Sequence, residues 1–93
     1  MTAVSVLGAG AFGTALGIAL GGDGRPVTLW ARDGATEMQD RRVNARRLPG
    51  HRLPGSVTVT GDLQRAAATG VLLLAVPMQT LRAVLAENAS LFH

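Results

Sequence analysis

The sequence predicts an α/β fold, a doubly wound parallel sheet in which strands alternate with helices, and three observations carry that expectation. Short apolar runs at 3–7, 26–30, 57–59 and 71–76 are separated by segments with helical spacing, an alternation that builds parallel sheets through crossovers. The first run leads straight into Gly8-Ala9-Gly10-Ala11-Phe12-Gly13 and then into an uncharged helical stretch. The last run, Val71-Leu72-Leu73-Leu74-Ala75-Val76, has no polar alternation, as expected of a strand covered on both faces.

Taken in order, strand one covers about 3–7 and the first helix about 12–21, where Phe12, Ala15, Leu16, Ala19 and Leu20 recur at helical spacing. Gly21-Gly22-Asp23-Gly24 stops that helix. Pro26-Val27-Thr28-Leu29-Trp30 is strand two, and Asp33 is placed to cap a helix over 34–44. The triplets Leu48-Pro49-Gly50 and Leu53-Pro54-Gly55 mark 45–56 as an ordered loop. Val57-Thr58-Val59 is strand three, Thr60 is placed to cap a helix over 61–68, and 71–76 is strand four, ended by Pro77. Leu81, Val84 and Leu85 mark a last helix over 78–87. Right-handed crossovers in a doubly wound pattern give the strand order 3-2-1-4.

Composition narrows the chemistry. The 93 residues suffice for one small domain, and apolar residues (47%) far outnumber charged ones (16%), which argues against disorder. Cysteine is absent, excluding disulfides, thiolate zinc sites and thiol catalysis, and compatible with a reducing cytoplasm. All nine basic residues are arginine, so the chain offers no lysine acid or Schiff base. The uncharged stretch from Ala3 to Gly22 is broken by six glycines and preceded by no basic segment, so it reads as a buried strand feeding a helix, not as a leader or a membrane span. Five arginines fall between Arg41 and Arg52. No aromatic residue is interleaved to stack on bases, so they read as a solvated helix end and loop, not as a nucleic-acid surface.

Strand, Gly-x-Gly-x-x-Gly and helix, in that order, form a dinucleotide-binding turn. Gly8 permits the tight turn, Gly10 leaves the backbone open to a pyrophosphate, and Gly13 lets the helix approach the strand. The helix N-terminus offers N–H groups and a positive dipole end to the phosphates. Order 3-2-1-4 puts the strand reversal between strands one and four, so Gly8–Gly13 and Pro77 flank the expected ligand crevice. The end of strand two decides between NAD and NADP, and Arg32 stands there. With Asp33 read as a helix cap, Arg32 reads the 2′-phosphate, and NADP(H) is favoured over NAD(H). Phe12 is either a packing residue or a wall of the nicotinamide pocket, and Trp30 is a core residue. His51 is an exposed loop residue and His93 the last residue. Asp23, Glu37, Asp40, Asp62 and Glu87 form no catalytic pair or metal spacing. No catalytic or metal-binding residue is assigned.

These residues resemble the opening of bacterial NAD(P)-dependent glycerol-3-phosphate dehydrogenases. The resemblance rests on 8–16, on Val27-Thr28-Leu29-Trp30-Ala31-Arg32-Asp33, on Asn44 with the double Leu-Pro loop, on Thr60-Gly61-Asp62-Leu63 and on Val76-Pro77-Met78-Gln79. It implies a Rossmann-type fold that reduces dihydroxyacetone phosphate to sn-glycerol 3-phosphate for glycerophospholipid synthesis, with Ala11, Phe12 and Arg32 at NADPH-contacting positions. Three positions depart from the family's habit: Ala11 stands where Ser is usual, Phe12 where Trp or Tyr is usual, and Arg47 where an aromatic precedes Leu-Pro-Gly. The family's catalytic and substrate-binding lysines lie beyond strand four. Residues 1–93 are therefore expected to be the N-terminal portion of a dinucleotide-binding domain, truncated after strand four, with the substrate domain elsewhere and no turnover by this piece alone. The full-length protein is expected to be a cytoplasmic homodimer that acts on a small molecule, engages no nucleic acid and does not insert into membranes. The competing readings are another dehydrogenase of the same superfamily and a stand-alone nucleotide-binding module without catalysis.

Overall fold

The computed structural model describes residues 3–75, together with 82, 83, 86 and 87. In chain order the elements are β1 (Val4–Leu7), α1 (Ala11–Gly21), β2 (Val27–Trp30), α2 (Ala35–Arg41), β3 (Val43–Asn44), β4 (Leu48–Arg52), β5 (Val57–Thr60), α3 (Leu63–Ala67) and β6 (Val71–Leu74). Four of the strands form one parallel sheet in the order β5-β2-β1-β6, with Val4 opposite both Val27 and Val71, and Val27 opposite Val57. β1 is buried along its whole length because a strand lies on either side and helices cover both faces. On one face Val6, Val27, Leu29, Val57 and Val59 meet Met38 of α2 and Leu53, with Leu16, Ile18 and Leu20 of α1 packed against them. On the other, Leu7 and Trp30 meet Leu63 and Ala66 of α3. Neighbouring strand residues thus serve opposite cores, which is the doubly wound arrangement.

The four strands stand in the expected spatial order 3-2-1-4, and only their numbering changes, because two more strands intervene: β3 at the end of the segment expected as a helix and β4 in the segment expected as a loop. β3 and β4 pair antiparallel, Val43 with Arg52 and Asn44 with Leu48, with a register shift between them. Arg42 anchors the hairpin from a left-handed backbone conformation (φ 59°). Its guanidinium donates to the carbonyl oxygens of Pro54 (2.7 Å) and Val57 and to Gln39 Oε1 (2.8 Å). The same residue ends α2 at Arg41, short of the expected 44, by donating its backbone N–H to Met38 O at 2.9 Å.

Both expected helix caps are corrected. α2 is preceded by Gly34 in the left-handed region (φ 73°), with no side-chain cap, so Asp33 lies one residue too early to serve. α3 is capped by Asp62, not Thr60: Asp62 Oδ1 accepts from Gln64 N (3.0 Å) and Arg65 N (3.4 Å), while Thr60 Oγ1 accepts only from Asp62 N. The buried face of α1 is Gly13, Thr14, Gly17 and Gly21, whereas Phe12, Ala15 and Ala19 are exposed. Close approach to the sheet puts the small residues at the contact, with Leu16, Ile18 and Leu20 half-buried along its flanks. β6, expected to be covered on both faces, has Val71 and Leu74 exposed (38% and 51%), because it is the edge strand of the described sheet. Pro77 and most of the helix expected over 78–87 lie outside the described residues.

Candidate functional site

Gly8 leaves β1 at φ 125°, a conformation side chains rarely permit, and its N–H donates to Trp30 O at 3.1 Å, one step beyond the β1–β2 ladder. The turn brings α1 back so tightly that a Cβ on Gly13 would lie 1.8 Å from the Gly8 carbonyl oxygen. Gly13 is therefore a packing residue. Gly10 is different: a Cβ there would meet nothing within 4 Å. The protein's own packing does not require glycine at that point, so the bare backbone faces space outside the protein.

Gly10 is also the N-cap of α1, with no side-chain cap and no acidic side chain in the first turn. Helix geometry leaves the first N–H groups without intrahelical partners, and the dipole makes that end positive. The residues present therefore fit an anionic group at this terminus.

The turn opens into a cavity of about 350 Å³. It is lined by Gly8, Ala9 and Gly10, by the exit of β2 from Trp30 to Gly34, and by the β3–β4 hairpin from Val43 to Arg47. Trp30 is 5% exposed and donates its indole N–H to Gly61 O at 3.2 Å, so its ring is fixed where it borders the cavity. Asn44 ties the hairpin to the glycine turn. Its buried Nδ2 donates to Ala9 O (2.7 Å) and Thr14 Oγ1 (2.8 Å), and its Oδ1 accepts from Arg47 N (3.3 Å). Arg32, Arg46 and Arg47 supply positive charge to the cavity, and Asp33 and Glu37 negative charge. Two exposed ion pairs border it, Arg32 with Glu87 (3.6 Å) and Arg41 with Glu37 (3.8 Å), each of the surface kind that contributes about 0–1 kcal/mol.

Of the residues singled out in the sequence, Gly8, Gly10 and Arg32 line this cavity. Gly13 packs beneath it. Ala11 and Phe12 are exposed on the first turn of α1 and are not part of its lining; Phe12, at 71% exposure, is not a core residue. Pro77 lies outside the described residues, but Ala75, two positions earlier, lines the cavity and donates its N–H to Leu7 O at 2.9 Å. His51 sits exposed on β4, away from the cavity lining. Sequence reasoning assigned no role to Asn44, Arg46 or Arg47. The signal was present as Asn44 followed by a double arginine between the helix and the first Leu-Pro-Gly, but a segment read as solvated loop hides a return to the site. Among the described residues, no cluster of three or more His, Asp or Glu is placed to hold a metal ion, and no helix is long and apolar enough to cross a membrane.

Residues 3–93 match the family described as NAD-dependent glycerol-3-phosphate dehydrogenase N-terminus. The chain is 58% identical over 81 residues to the NAD(P)+ glycerol-3-phosphate dehydrogenase of Roseobacter denitrificans, covering 85% of this chain and 25% of that protein. With the enzyme of the same name from Ruegeria sp. it shares 53% identity over 91 residues, 95% of this chain and 28% of the relative. Its fold is similar to the crystal structure of glycerol-3-phosphate dehydrogenase from Coxiella burnetii, with a TM-score of 0.88 and 32% identity over 99% of this chain and 29% of that one. The Plasmodium falciparum glycerol-3-phosphate dehydrogenase structure gives a TM-score of 0.87 at 25% identity, over 96% of this chain and 28% of that one. The chain thus spans about a quarter of the length of the curated relatives it matches.

Proposed function

This chain belongs to the family of NAD-dependent glycerol-3-phosphate dehydrogenase N-termini, and from that premise we propose that it is the nucleotide-binding portion of an enzyme reducing dihydroxyacetone phosphate to sn-glycerol 3-phosphate. The observation that carries the proposal is one cavity joining the uncapped N-terminus of α1 to the arginine at the exit of β2. In this reading the first-turn N–H groups of Ala11, Phe12 and Gly13 hold the cofactor's pyrophosphate, and the open face of Gly10 lets it approach. Gly8 sets the turn that aims them. The exit of β2 takes the adenosine ribose.

A bound nicotinamide dinucleotide supplies the hydride to the substrate carbonyl carbon. The chain's residues bind and orient that cofactor. They include no lysine, and His51 is not among the residues lining the cavity, so in this reading the group that protonates the developing alkoxide, and the substrate domain, belong to the rest of a longer protein. That protein is proposed to be a cytoplasmic homodimer.

Cofactor choice rests on Arg32. Asp33, freed from the capping role, borders the same cavity and is the competing group, since a carboxylate there suits a ribose hydroxyl. We assign the preference to NADP(H), because a guanidinium on a phosphate dianion forms a charge-assisted bond of about 1.5–3 kcal/mol, or roughly ten- to a hundredfold in affinity. The test is oxidation of NADPH and NADH by the full-length protein with dihydroxyacetone phosphate, together with cofactor titrations of wild type and Arg32→Glu. Turnover with NADPH is expected, and Arg32→Glu should weaken NADPH roughly ten- to a hundredfold while sparing NADH. Absence of turnover with this substrate overturns the activity. Equal loss of both cofactors means that Arg32 stacks on adenine, and no change in either makes Asp33 the discriminator.

A further inference from the structure

We infer that Arg46 and Arg47, carried on the β3–β4 turn, form a second cationic group that, together with Arg32, recognises the 2′-phosphate of a phosphorylated adenine nucleotide. The inference rests on the nucleotide-binding reading above and deepens it. Both arginines line the same cavity as Arg32, yet they reach it from a different element. Three arginines line a space of about 350 Å³, and positive charge gathered from separate elements favours an anion among them. Two carboxylates line the same cavity; Asp33 forms no ion pair among the described residues, so one unpaired carboxylate stands among three arginines. Glu37 is within ion-pair reach of Arg41, outside the trio. Arg32 has Glu87 as a partner, whereas neither Arg46 nor Arg47 forms an ion pair among the described residues.

The arginine pair is also held in register with the phosphate-binding turn. Asn44, 3% exposed, grips Ala9 O and Thr14 Oγ1 with one end and the Arg47 N–H with the other. A group fixed to the turn that holds the pyrophosphate stands at a set distance from it, and the adenosine 2′-phosphate lies at a set distance along the same ligand. The arginine backbone is therefore placed before the ligand arrives, which lowers the ordering cost of binding. A 2′-hydroxyl offers this group no charge, so the group discriminates between phosphorylated and unphosphorylated ligands without adding to the binding of both.

The experiment uses the full-length protein and four probes: NADPH, NADH, 2′,5′-ADP and 5′-AMP. In Arg46→Gln/Arg47→Gln, affinity for NADPH and 2′,5′-ADP should fall about tenfold or more, with NADH and 5′-AMP within about twofold of wild type. The salt dependence of NADPH binding should become shallower. Arg32→Gln supplies a measurement that leaves the hairpin untouched: a residual preference for NADPH over NADH, several-fold in size, should survive it. Loss of all preference in Arg32→Gln overturns the inference, as does a double variant that retains wild-type discrimination or loses all four probes equally. A wild-type protein that binds neither NADPH nor NADH overturns the nucleotide-binding reading and this inference with it.

Discussion

Glycines of one helix have opposite jobs at the scale of single residues, and substitution separates them. A methyl on Gly13 would meet the Gly8 carbonyl oxygen at 1.8 Å, and that neighbour is backbone in a constrained turn. Gly13→Ala should destabilise the full-length protein by about 1–3 kcal/mol or more, as overpacking does. A methyl on Gly17 would find Val27 Cγ1 at 3.9 Å and Leu29 Cδ1 at 4.0 Å, which is ordinary contact. Gly17→Ala should therefore stabilise by about 0.5–1 kcal/mol, since alanine costs less backbone entropy in a helix. Urea denaturation of the two variants checks the pair, and a shift in the same direction for both would contradict the packing described. Asn44 is the polar counterpart. Asn44→Ala removes both donors from a buried site and leaves Ala9 O without that partner. A loss of about 1–3 kcal/mol is expected, together with faster amide exchange in the hairpin; a neutral variant would show that the latch carries no weight.

Helix ends and the hairpin decide the outcome at the scale of elements. α3 depends on Asp62, whose carboxylate accepts from two backbone N–H groups. Asp62→Ala should cost about 0.5–2 kcal/mol. Asp33→Ala should leave stability nearly unchanged, because α2 begins after Gly34 and no side chain caps it. Chemical denaturation of the two variants side by side distinguishes them, and equal costs would refute the cap assignment. The hairpin is too short to be stable alone. It persists because Arg42 fastens its base to Pro54 and Val57 while Asn44 fastens its turn to the glycine loop.

For the whole molecule, the order β5-β2-β1-β6 leaves β6 at the edge of the described sheet, with Val71 and Leu74 exposed. An apolar edge strand is a template for pairing. The 93-residue chain by itself should therefore self-associate or melt at low temperature, and sedimentation across a concentration series checks this. A monodisperse monomer with a sharp, concentration-independent melt would contradict it. The same preparation should show no NADPH oxidation with dihydroxyacetone phosphate above background, because the chain holds no lysine and no histidine at the cavity among the described residues.

The fold class was legible in local pattern. Apolar runs at the right intervals, a glycine turn between strand and helix, and a β-branched core specify parallel strands whatever their distant neighbours, because strand and helix periodicities are properties of adjacent residues. Gly8, Gly10 and Arg32 were legible for the same reason: each sits at a defined offset from a strand end, and that offset alone places it at the crevice. Tertiary structure decided the rest. Which face of α1 is buried depends on how closely the sheet approaches: glycine and threonine are buried there, Leu16 and Leu20 are half-buried against the core, and Phe12 is exposed. Whether Asp33 or Gly34 begins α2 depends on a left-handed residue that propensity does not locate. Asn44, Arg46 and Arg47 belong to the site because a buried amide contacts Ala9 and Thr14, 35 and 30 residues away in sequence. Sequence spacing carries no record of such a contact, since it arises only when the chain folds back and a buried polar group must find its partner.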